Sequence, residues 1–288
     1  MKPVLCIPSY SRPDGIALER CKDLPMEKFL FIRKGQLDLY RHWSKWYTLV
    51  LQTGGTDIGI VRNNMVRFCQ KKGYEWAFIL DDDISKVETL GKKLDGGITA
   101  NRIIAGVSGP RMEVEAFKAW FKVAKRESLA LSSPNHRAYD RFNHGVLQVN
   151  KSACIQCVLL HIPTVHAVGG YKSLYETGNE DYYLQYKLMS NGALTGKVGC
   201  VEYDCPAVGA GEGGNNTDEY KDINKRYEVY VQTFLDNVCN DPELVKTKTT
   251  QTGQKSIQFV WKNWSGFTKD LELVGGNLYV QRTRSEQG

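Results

Sequence analysis

The sequence predicts an α/β protein in which a mostly parallel, mixed sheet is flanked by helices. Strand and helix signals alternate from the N-terminus to residue 85, with short apolar runs at residues 4–7, 29–32 and 48–51. This alternation favours parallel strands joined by helices that cover both faces of the sheet. A fourth run, Trp76–Leu80, is apolar at every position, as in a strand buried on both faces. In such sheets ligands bind beyond the carboxyl ends of the strands.

Residues 58–72 have the spacing of an amphipathic helix. Their apolar side chains fall at i, i+4, i+7 and i+8, which is one face of a helix. These side chains are Val61, Met65, Phe68 and Cys69. Gly73 follows directly and predicts the end of the helix, because glycine readily adopts the left-handed conformation of a C-terminal cap.

The second half of the chain is less regular. Helical spacing recurs at residues 113–126, 181–191 and 218–238, and residues 146–149 are a strand candidate. Neither an internal repeat nor a linker rich in Pro, Gly and Ser divides the chain. We therefore predict one domain with a C-terminal extension.

The composition is that of an ordinary globular enzyme. Hydrophobic residues make up 42% of the 288 residues and charged residues 24%. No stretch approaches the roughly 18 to 20 apolar residues that span a bilayer. The first apolar run is too short, and too interrupted by proline, for a signal peptide, so we expect a cytoplasmic protein without membrane contact. A net charge of +6 suits an anionic ligand such as a nucleotide sugar, or a nucleic acid.

The eight cysteines are expected to be free thiols, as is usual in cytosolic proteins of this size. Two close pairs, Cys154 with Cys157 and Cys200 with Cys205, are an alternative zinc-binding set. The first pair lies within the apolar run 153–162, which favours a place in the core.

Asp81, Asp82 and Asp83 follow the apolar strand 76–80 without a break. Three adjacent carboxylates repel one another and are costly to desolvate. A divalent cation relieves that repulsion, and hard oxygen ligands suit Mg²⁺ or Mn²⁺. The alternative is a solvated acidic turn. The buried character of the preceding strand favours the metal hypothesis, because it delivers the triplet to the ligand-binding edge.

Two further groups have a functional and a simpler interpretation. Arg62 lies in the first turns of the predicted helix 58–72, where an arginine and free backbone amides can bind an anion. An ordinary exposed arginine is the alternative. Glu180 and Asp181 open another helix, where acids are favourable to the helix dipole. Their functional interpretation is a general base that takes the proton of an attacking hydroxyl.

Five motifs occur in an order that resembles inverting glycosyltransferases of the GT-A fold, which is Rossmann-like. They are Ile7-Pro8-Ser9-Tyr10, Arg62-Asn63, Asp81-Asp82-Asp83, Gly169-Gly170-Tyr171 and Glu180-Asp181. The ordered set covers residues 4 to 195. The N-terminal block is similar in particular to the TET/JBP-associated glycosyltransferases of bacteriophage DNA-modification clusters, which also carry an upstream tyrosine, here Tyr40.

The resemblance implies a role for each matching residue. The nucleotide-sugar pocket would be lined by Pro8, Ser9, Tyr10, Arg12, Arg62, Asp81 and Asp82. Asp83 would be the direct ligand of Mn²⁺ or Mg²⁺, with Asp81 beside it. Asp181 would be the catalytic base, assisted by Glu180. One departure is that the last histidine is His166, so a late histidine ligand to the metal is absent or replaced.

The resemblance also implies domains and an acceptor. Residues 1–240 would form the catalytic domain, with a nucleotide-binding half at 1–85 and an acceptor half at 86–240, followed by the extension 241–288. The donor would be a UDP-sugar and the acceptor 5-hydroxymethylcytosine or a related pyrimidine in phage DNA. Basic and aromatic residues would contact that DNA: Arg141, His144, Trp261 and Lys262. The alternative is that the C-terminal aromatic residues only dock this segment on the core, with the lysines facing outward.

The sequence leaves two alternatives open. One is a GT-A glycosyltransferase that acts on a glycan, a lipid or a protein. The other is a non-catalytic GT-A-like protein that binds nucleotides or nucleic acid. Retention of both the aspartate triplet and the Glu180-Asp181 pair argues against the second alternative.

Overall fold

The computed structural model describes residues 2–53, 57–92, 98–100, 112–137, 145–205, 223–249, 255–274 and 277–283. Arg141 and His144, two of the predicted acceptor-binding residues, lie outside these ranges.

The N-terminal half alternates strands and helices, as the apolar runs predict. Its strands are β1 (Val4–Pro8), β2 (Lys28–Arg33), β3 (Thr48–Gln52) and β4 (Trp76–Leu80). Its helices are α1 (Ile16–Cys21), α2 (Leu37–Tyr40) and α3 (Ile58–Lys72), with short 3₁₀ turns at Lys34–Gln36 and Arg41–Lys45. Gly73 caps α3 in the left-handed conformation, with φ of 77°.

The second half continues with strands and helices of more varied length. The strands are β5 (Lys86–Lys92), β6 (Ile98–Ala100), β7 (Leu129–His136), β8 (Val146–Val149), β9 (Cys157–His161) and β10 (Leu194–Asp204). The helices are α4 (Val114–Arg126), α5 (Ile162–Ala167), α6 (Leu174–Thr177), α7 (Glu180–Ser190) and α8 (Ile223–Asn237). The C-terminal strands are β11 (Val245–Thr249), β12 (Lys255–Phe259), β13 (Phe267–Val274) and β14 (Asn277–Thr283), with a 3₁₀ turn at Trp261–Asn263.

The central sheet is mixed, and most of its strands point the same way. Its order is β14-β13-β8-β10-β7-β9-β4-β1-β2-β3. The pairs β3–β2, β2–β1, β1–β4 and β7–β10 are parallel. Strand β9 is antiparallel to both β4 and β7, so β7 and β10 point in the same direction as β1 and β4. The carboxyl ends of β1, β4, β7 and β10 therefore meet at one edge, which confirms the predicted α/β class.

Both faces of the sheet are buried. Along β1, Leu5 and Ile7 belong to a core cluster on one face, and Val4 and Cys6 belong to a cluster on the other. This two-sided burial explains why the strand is apolar at consecutive positions instead of alternating. Burial of Cys154 and Cys157 in these clusters agrees with the core interpretation of that pair, and all eight cysteines are free.

The C-terminal residues divide between two sheets. Strand β13 pairs with β8, so β13 and β14 extend the central sheet. Strands β11 and β12 form a separate antiparallel ribbon, which packs with α8 and α7 in a third apolar cluster. None of the helices in the described part of the chain is long and apolar enough to cross a membrane.

Strands β7 and β10 have no clear pattern in the sequence, whereas β9 lies within the apolar run 153–162. Strand β7 is buried throughout although it contains Ser132, Ser133 and Asn135. A buried serine is tolerated because it finds a partner: the Trp120 indole donates to the Ser132 hydroxyl at 2.9 Å. Such partners come from distant parts of the chain, which local periodicity does not record.

Candidate functional site

The aspartate triplet begins one residue beyond β4, at the edge where the carboxyl ends of four strands meet. Its three side chains differ in exposure: Asp81 is 26% exposed, Asp82 9% and Asp83 41%. The backbone of the turn is tied to neighbouring elements, because the Asp81 amide donates to the Gln156 carbonyl at 3.3 Å. The triplet is therefore one inward-facing carboxylate between two partly exposed ones.

Asp82 connects the triplet to the loop that follows β1. The Ser9 hydroxyl donates to Asp82 Oδ2 at 2.6 Å, and Arg12 Nη1 lies 3.1 Å from Oδ1. The Tyr40 hydroxyl is 2.8 Å from the Ser9 hydroxyl and accepts from the Arg12 amide at 2.8 Å. Burial raises the pKa of Asp82 to about 6, while the Ser9 hydrogen bond and the Arg12 charge oppose the shift. The predicted pocket residues Ser9, Arg12 and Asp82 thus form one network with Tyr40.

Pro8 and Tyr10 stand on either side of Ser9. Pro8 is buried as the last residue of β1. The Tyr10 ring is half-buried and stacks on Arg33, whose guanidinium carbon lies 3.5 Å from the ring centroid. Tyr10 and Arg33 together offer a planar, positively charged surface at the end of β2, of the kind that stacks on a base or pairs with a phosphate.

Arg62 joins the triplet to the predicted base. Its side chain is only 3% exposed and contacts three carboxylates. Nη2 donates to Asp81 Oδ1 at 2.7 Å, and Nη1 donates to Glu180 Oε1 at 2.8 Å and to Asp181 Oδ1 at 2.7 Å. Burial, reinforced by the charge of Asp181, raises the pKa of Glu180 to about 7. Burial also raises the pKa of Asp181, against the opposing charge of Arg62. One guanidinium thus holds three acids at a single point of the sheet edge.

Asp57 fixes the position of α3 relative to α6. Its Oδ1 accepts from the amides of Gly59 at 2.7 Å and Ile60 at 3.2 Å, which caps α3. Its Oδ2 accepts from the Ser173 hydroxyl at 2.8 Å and from the Leu174 amide at 2.7 Å, at the start of α6. One carboxylate therefore joins the helix that carries Arg62 to the segment that leads into Glu180 and Asp181.

The Gly169-Gly170-Tyr171 motif packs directly on α3. A Cβ at Gly170, where φ is 70°, would lie 2.2 Å from Asn63 Oδ1. A Cβ at Gly59 would lie 1.9 Å from the Lys172 carbonyl oxygen. Tyr171 is buried, with its ring centroid 5.9 Å from the Arg62 guanidinium. Gly170 in the motif and Gly59 in α3 thus allow the close approach that brings Tyr171 beneath Arg62.

The triplet provides a partial set of metal ligands. Within the described residues no group of three or more His, Cys, Asp or Glu side chains could hold a metal ion. Asp81 and Asp83 are the two partly exposed carboxylates of the triplet, and burial together with the Asp81 charge raises the pKa of Asp83. Mg²⁺ typically takes one or two carboxylates and completes its shell with water and phosphate oxygens. The pair fits a hydrated cation that a phosphate ligand completes.

Gln156 is a site residue that no sequence motif indicates. It lies between Cys154 and Cys157 in a segment interpreted as core, yet it is half-buried at the sheet edge. Its carbonyl accepts from the Asp81 amide, and its own amide lies 3.4 Å from Asp181 Oδ2. Its φ of 62° is unusual for a residue with a side chain. No sequence signal marks such a conformation in a glutamine.

The predicted acceptor residues Trp261 and Lys262 lie in the 3₁₀ turn after β12. Lys262 is exposed, whereas Trp261 is half-buried against Phe259, with ring centroids 4.9 Å apart. Phe259 stacks in turn on Tyr182, the residue after Asp181, at 5.3 Å. The ribbon is thereby attached to the first turn of α7.

Fold and site together define an α/β protein with a mixed sheet and two acidic groups, joined by an arginine, at its carboxyl edge. No protein-family model matches the sequence, and the comparison with curated proteins finds no match.

Several solved structures are similar to this chain in outline. A CMP:2-keto-3-deoxy-manno-octonic acid synthetase complexed with CTP is 11% identical over 72% of this chain and 93% of that one, with a TM-score of 0.43. GalNAc-T7 with UDP, GalNAc and Mn²⁺ is 13% identical over 71% of this chain and 44% of that one, with a TM-score of 0.44. A 4-diphosphocytidyl-2C-methyl-D-erythritol synthase from Anaerococcus prevotii is 9% identical over 68% and 88% of the two chains, with a TM-score of 0.40. At these identities and TM-scores the likenesses carry no argument about activity.

Proposed function

We propose that this protein is a metal-dependent, inverting glycosyltransferase that moves a sugar from a UDP-sugar to a hydroxyl acceptor. One observation carries the proposal: Arg62 holds Asp81, at the end of β4, together with Asp181, at the start of α7. Asp81, a carboxylate that can bind a cation, and Asp181, a carboxylate that can accept a proton, thus lie on either side of Arg62. Metal-dependent inverting transfer uses both functions around a single sugar.

The donor half of the site is supported by the network around Asp82. In this proposal Pro8, Ser9, Tyr10 and Arg12 line the nucleotide pocket, and the rigid Ser9–Asp82–Arg12 contacts keep that loop in place. Mn²⁺ or Mg²⁺ would be held by Asp83 and Asp81. When bound, it supplies the positive charge that a diphosphate leaving group requires.

The acceptor half centres on Asp181. Burial raises the pKa of this carboxylate, and a raised pKa favours taking a proton from a hydroxyl group. The ion pair with Arg62 fixes the direction of Oδ1 and leaves Oδ2 to the side of Gln156. Glu180 assists by sharing the same guanidinium.

For the acceptor we propose a 5-hydroxymethylated pyrimidine in DNA. Support comes from the β11–β12 ribbon, where Lys246 and Lys248 occupy alternate, exposed positions of one strand. Their cross-strand partners are the uncharged Gln258 and Ser256, so this face of the ribbon is basic and polar. Such a face suits a phosphate backbone. A base within a duplex would have to be flipped out to reach Asp181.

The test is transfer of a hexose to DNA. The protein would be incubated with UDP-glucose, Mn²⁺ and DNA that contains either cytosine or 5-hydroxymethylcytosine. The masses of the nucleosides from this DNA would then be measured by mass spectrometry. A hexose added to the modified base alone supports the proposal, and Asp181→Asn should slow this addition by about 10²–10⁴-fold. Donor turnover without any dependence on DNA would instead support a glycan, lipid or protein acceptor. Nucleotide binding that Asp181→Asn leaves intact, with no turnover by the parent protein, would support the non-catalytic alternative.

A further inference from the structure

Gln156 bridges the two acidic groups of the site through its backbone. Its carbonyl accepts from the Asp81 amide at 3.3 Å, and its amide donates to Asp181 Oδ2 at 3.4 Å. The residue therefore lies between the carboxylate proposed to hold the cation and the carboxylate proposed as the base. A ligand placed between these two acids would therefore lie close to the loop that carries Gln156.

The backbone at this position is strained. A φ of 62° costs free energy for a residue with a Cβ and costs little for glycine. The same loop contains a second residue with positive φ, Asn150, at 49°, but asparagine tolerates this conformation better than glutamine. The Asn150 side chain has a clear structural use, because its Oδ1 accepts from the Thr195 amide at 2.8 Å. In the described part of the chain the Gln156 carboxamide, by contrast, hydrogen-bonds to protein groups through its oxygen and not through its nitrogen.

Only the oxygen end of the Gln156 carboxamide is held by the protein. The Tyr203 hydroxyl donates to Oε1 at 3.2 Å, and the Cys205 thiol lies 3.6 Å from the same atom. His136 Nε2 lies 3.3 Å from the Cys205 sulfur, which continues the network along the ends of β7 and β10. Within the described residues Nε2 of Gln156 donates to no protein atom. The network thus orients the amide and leaves its two N–H donors for a ligand.

We propose that the Gln156 carboxamide donates a hydrogen bond to a hydroxyl group of the transferred sugar and so helps to determine which sugar is accepted. This inference rests on the proposed glycosyltransferase function. The sugar must lie between a diphosphate near Asp83 and Asp81 and an attacking hydroxyl near Asp181, which is the interval that Gln156 spans. A neutral donor suits a neutral hydroxyl, and it adds no charge to a point that already holds three acids and one guanidinium.

The experiment compares nucleotides with their sugar conjugates. Dissociation constants of UDP, UDP-glucose, UDP-galactose and UDP-N-acetylglucosamine would be measured with Mn²⁺ by calorimetry, for the parent protein and for Gln156→Gly. Glycine relieves the strained backbone while removing the carboxamide, so this variant should fold. We expect UDP affinity to stay within about twofold, and the extra affinity of the preferred UDP-sugar over UDP to fall about three- to tenfold, as for one lost hydrogen bond.

Two further variants make the result specific. Ser128→Gly relieves the same type of strain, at φ of 54°, in an exposed turn before β7, at the opposite edge of the sheet. It should bind every nucleotide as the parent protein does. Gln156→Asn keeps an amide on a residue that tolerates positive φ, and it should retain part of the preference among sugars.

The outcomes separate this inference from the function on which it rests. Two results for Gln156→Gly would overturn the role of Gln156 alone. In the first, the variant still binds the preferred UDP-sugar more tightly than UDP by the same factor as the parent protein. In the second, its affinities for UDP and for the UDP-sugar fall equally. A parent protein that binds UDP but gains nothing from the sugar would do the same. A parent protein that binds neither UDP nor its sugar conjugates would overturn the proposed function and the inference together.

Discussion

Arg62 and Asp181 stand 119 positions apart in the chain, and their side chains meet at 2.7 Å in the interior of the protein. The same guanidinium contacts Asp81 and Glu180. Burying an arginine with three acids is favourable only while all four groups remain together, because each unpaired charge would be costly to desolvate. This ion cluster therefore couples the stability of the fold to the geometry of the candidate site.

Replacement of Arg62 by methionine should destabilise the protein strongly. Three acids would lose their shared cation, and removal of one partner from a buried pair typically costs about 3–5 kcal/mol. Urea unfolding would measure the change. Arg41→Met is the matched control, because Arg41 pairs with Asp38 on the surface and its loss should cost less than about 1 kcal/mol. Equal stability of the two variants would contradict a structural role for the Arg62 cluster.

Asp83→Ala and Asp181→Asn should separate donor binding from turnover. Asp83 is the most exposed acid of the triplet, and its loss should abolish the Mn²⁺-dependent part of UDP binding. Asp181→Asn should keep UDP binding and lower the transfer rate by about 10²–10⁴-fold, the usual contribution of a general base. Calorimetry and a UDP-release assay would report the two effects. Loss of UDP binding in Asp181→Asn would place this residue on the donor side instead.

Gly170→Ala should be more damaging than Gly73→Ala, although both glycines have positive φ. At Gly73, where φ is 77°, an added Cβ would meet nothing within 4 Å. At Gly170 it would lie 2.2 Å from Asn63 Oδ1. The conformational cost alone is about 1 kcal/mol, and moving the Asn63 side chain out of its rotamer should add about 0.5–1.5 kcal/mol at Gly170 only. Thermal or urea unfolding of both variants would show this difference, and equal losses would rule out the tight packing of the motif on α3.

Glu202→Gln should weaken the pH dependence of stability. Glu202 is buried directly opposite Glu88 in the β5–β10 pair, and burial, followed by the hydrogen bond with Glu88, raises its pKa from 4.5 to about 7. The folded state then binds more protons than the unfolded state between these values, so the free energy of unfolding falls as pH rises through that window.

Glutamine does not titrate, so the variant should lose less stability than the parent between about pH 5 and pH 8, by on the order of 1 kcal/mol. Urea unfolding across this range would test it. Glu115→Gln, which alters an exposed pair with Lys118, should leave the slope unchanged. A parent protein with no fall in stability over the window would contradict the raised pKa.

The double substitution Lys246→Glu with Lys248→Glu should weaken DNA binding without changing UDP binding. Each phosphate contact releases a counterion, so the slope of log affinity against log salt should shrink by about 2 for two lost contacts. Fluorescence anisotropy with labelled DNA at several salt concentrations would measure it. Lys71→Glu with Lys72→Glu changes the same charge at the far end of α3 and serves as the control. Equal effects of the two pairs would indicate a response to net charge alone.

Much of the fold follows from local patterns in the sequence. Strands β1, β2 and β4 are continuous apolar runs because both faces of the sheet are covered there, and α3 has a single apolar stripe that ends at Gly73. The aspartate triplet stands where an apolar strand ends, so its place at the sheet edge is also readable from the sequence. These features depend on neighbours a few residues apart, which is the range that periodicity records.

Only the tertiary structure decided how the acids are partnered. The sequence alone would also allow Arg62 to be exposed on its helix. The hydrogen bonds of Asp57 and the close packing at Gly170 orient α3 so that the guanidinium contacts Asp81 and Asp181. Gln156 became a site residue in the same way, through a left-handed backbone between two strands that are distant in sequence from the triplet. Pairings of this kind depend on long-range packing and on the cost of leaving buried charges unpaired. Local sequence patterns therefore predict neither the long-range packing nor which buried charges pair with each other.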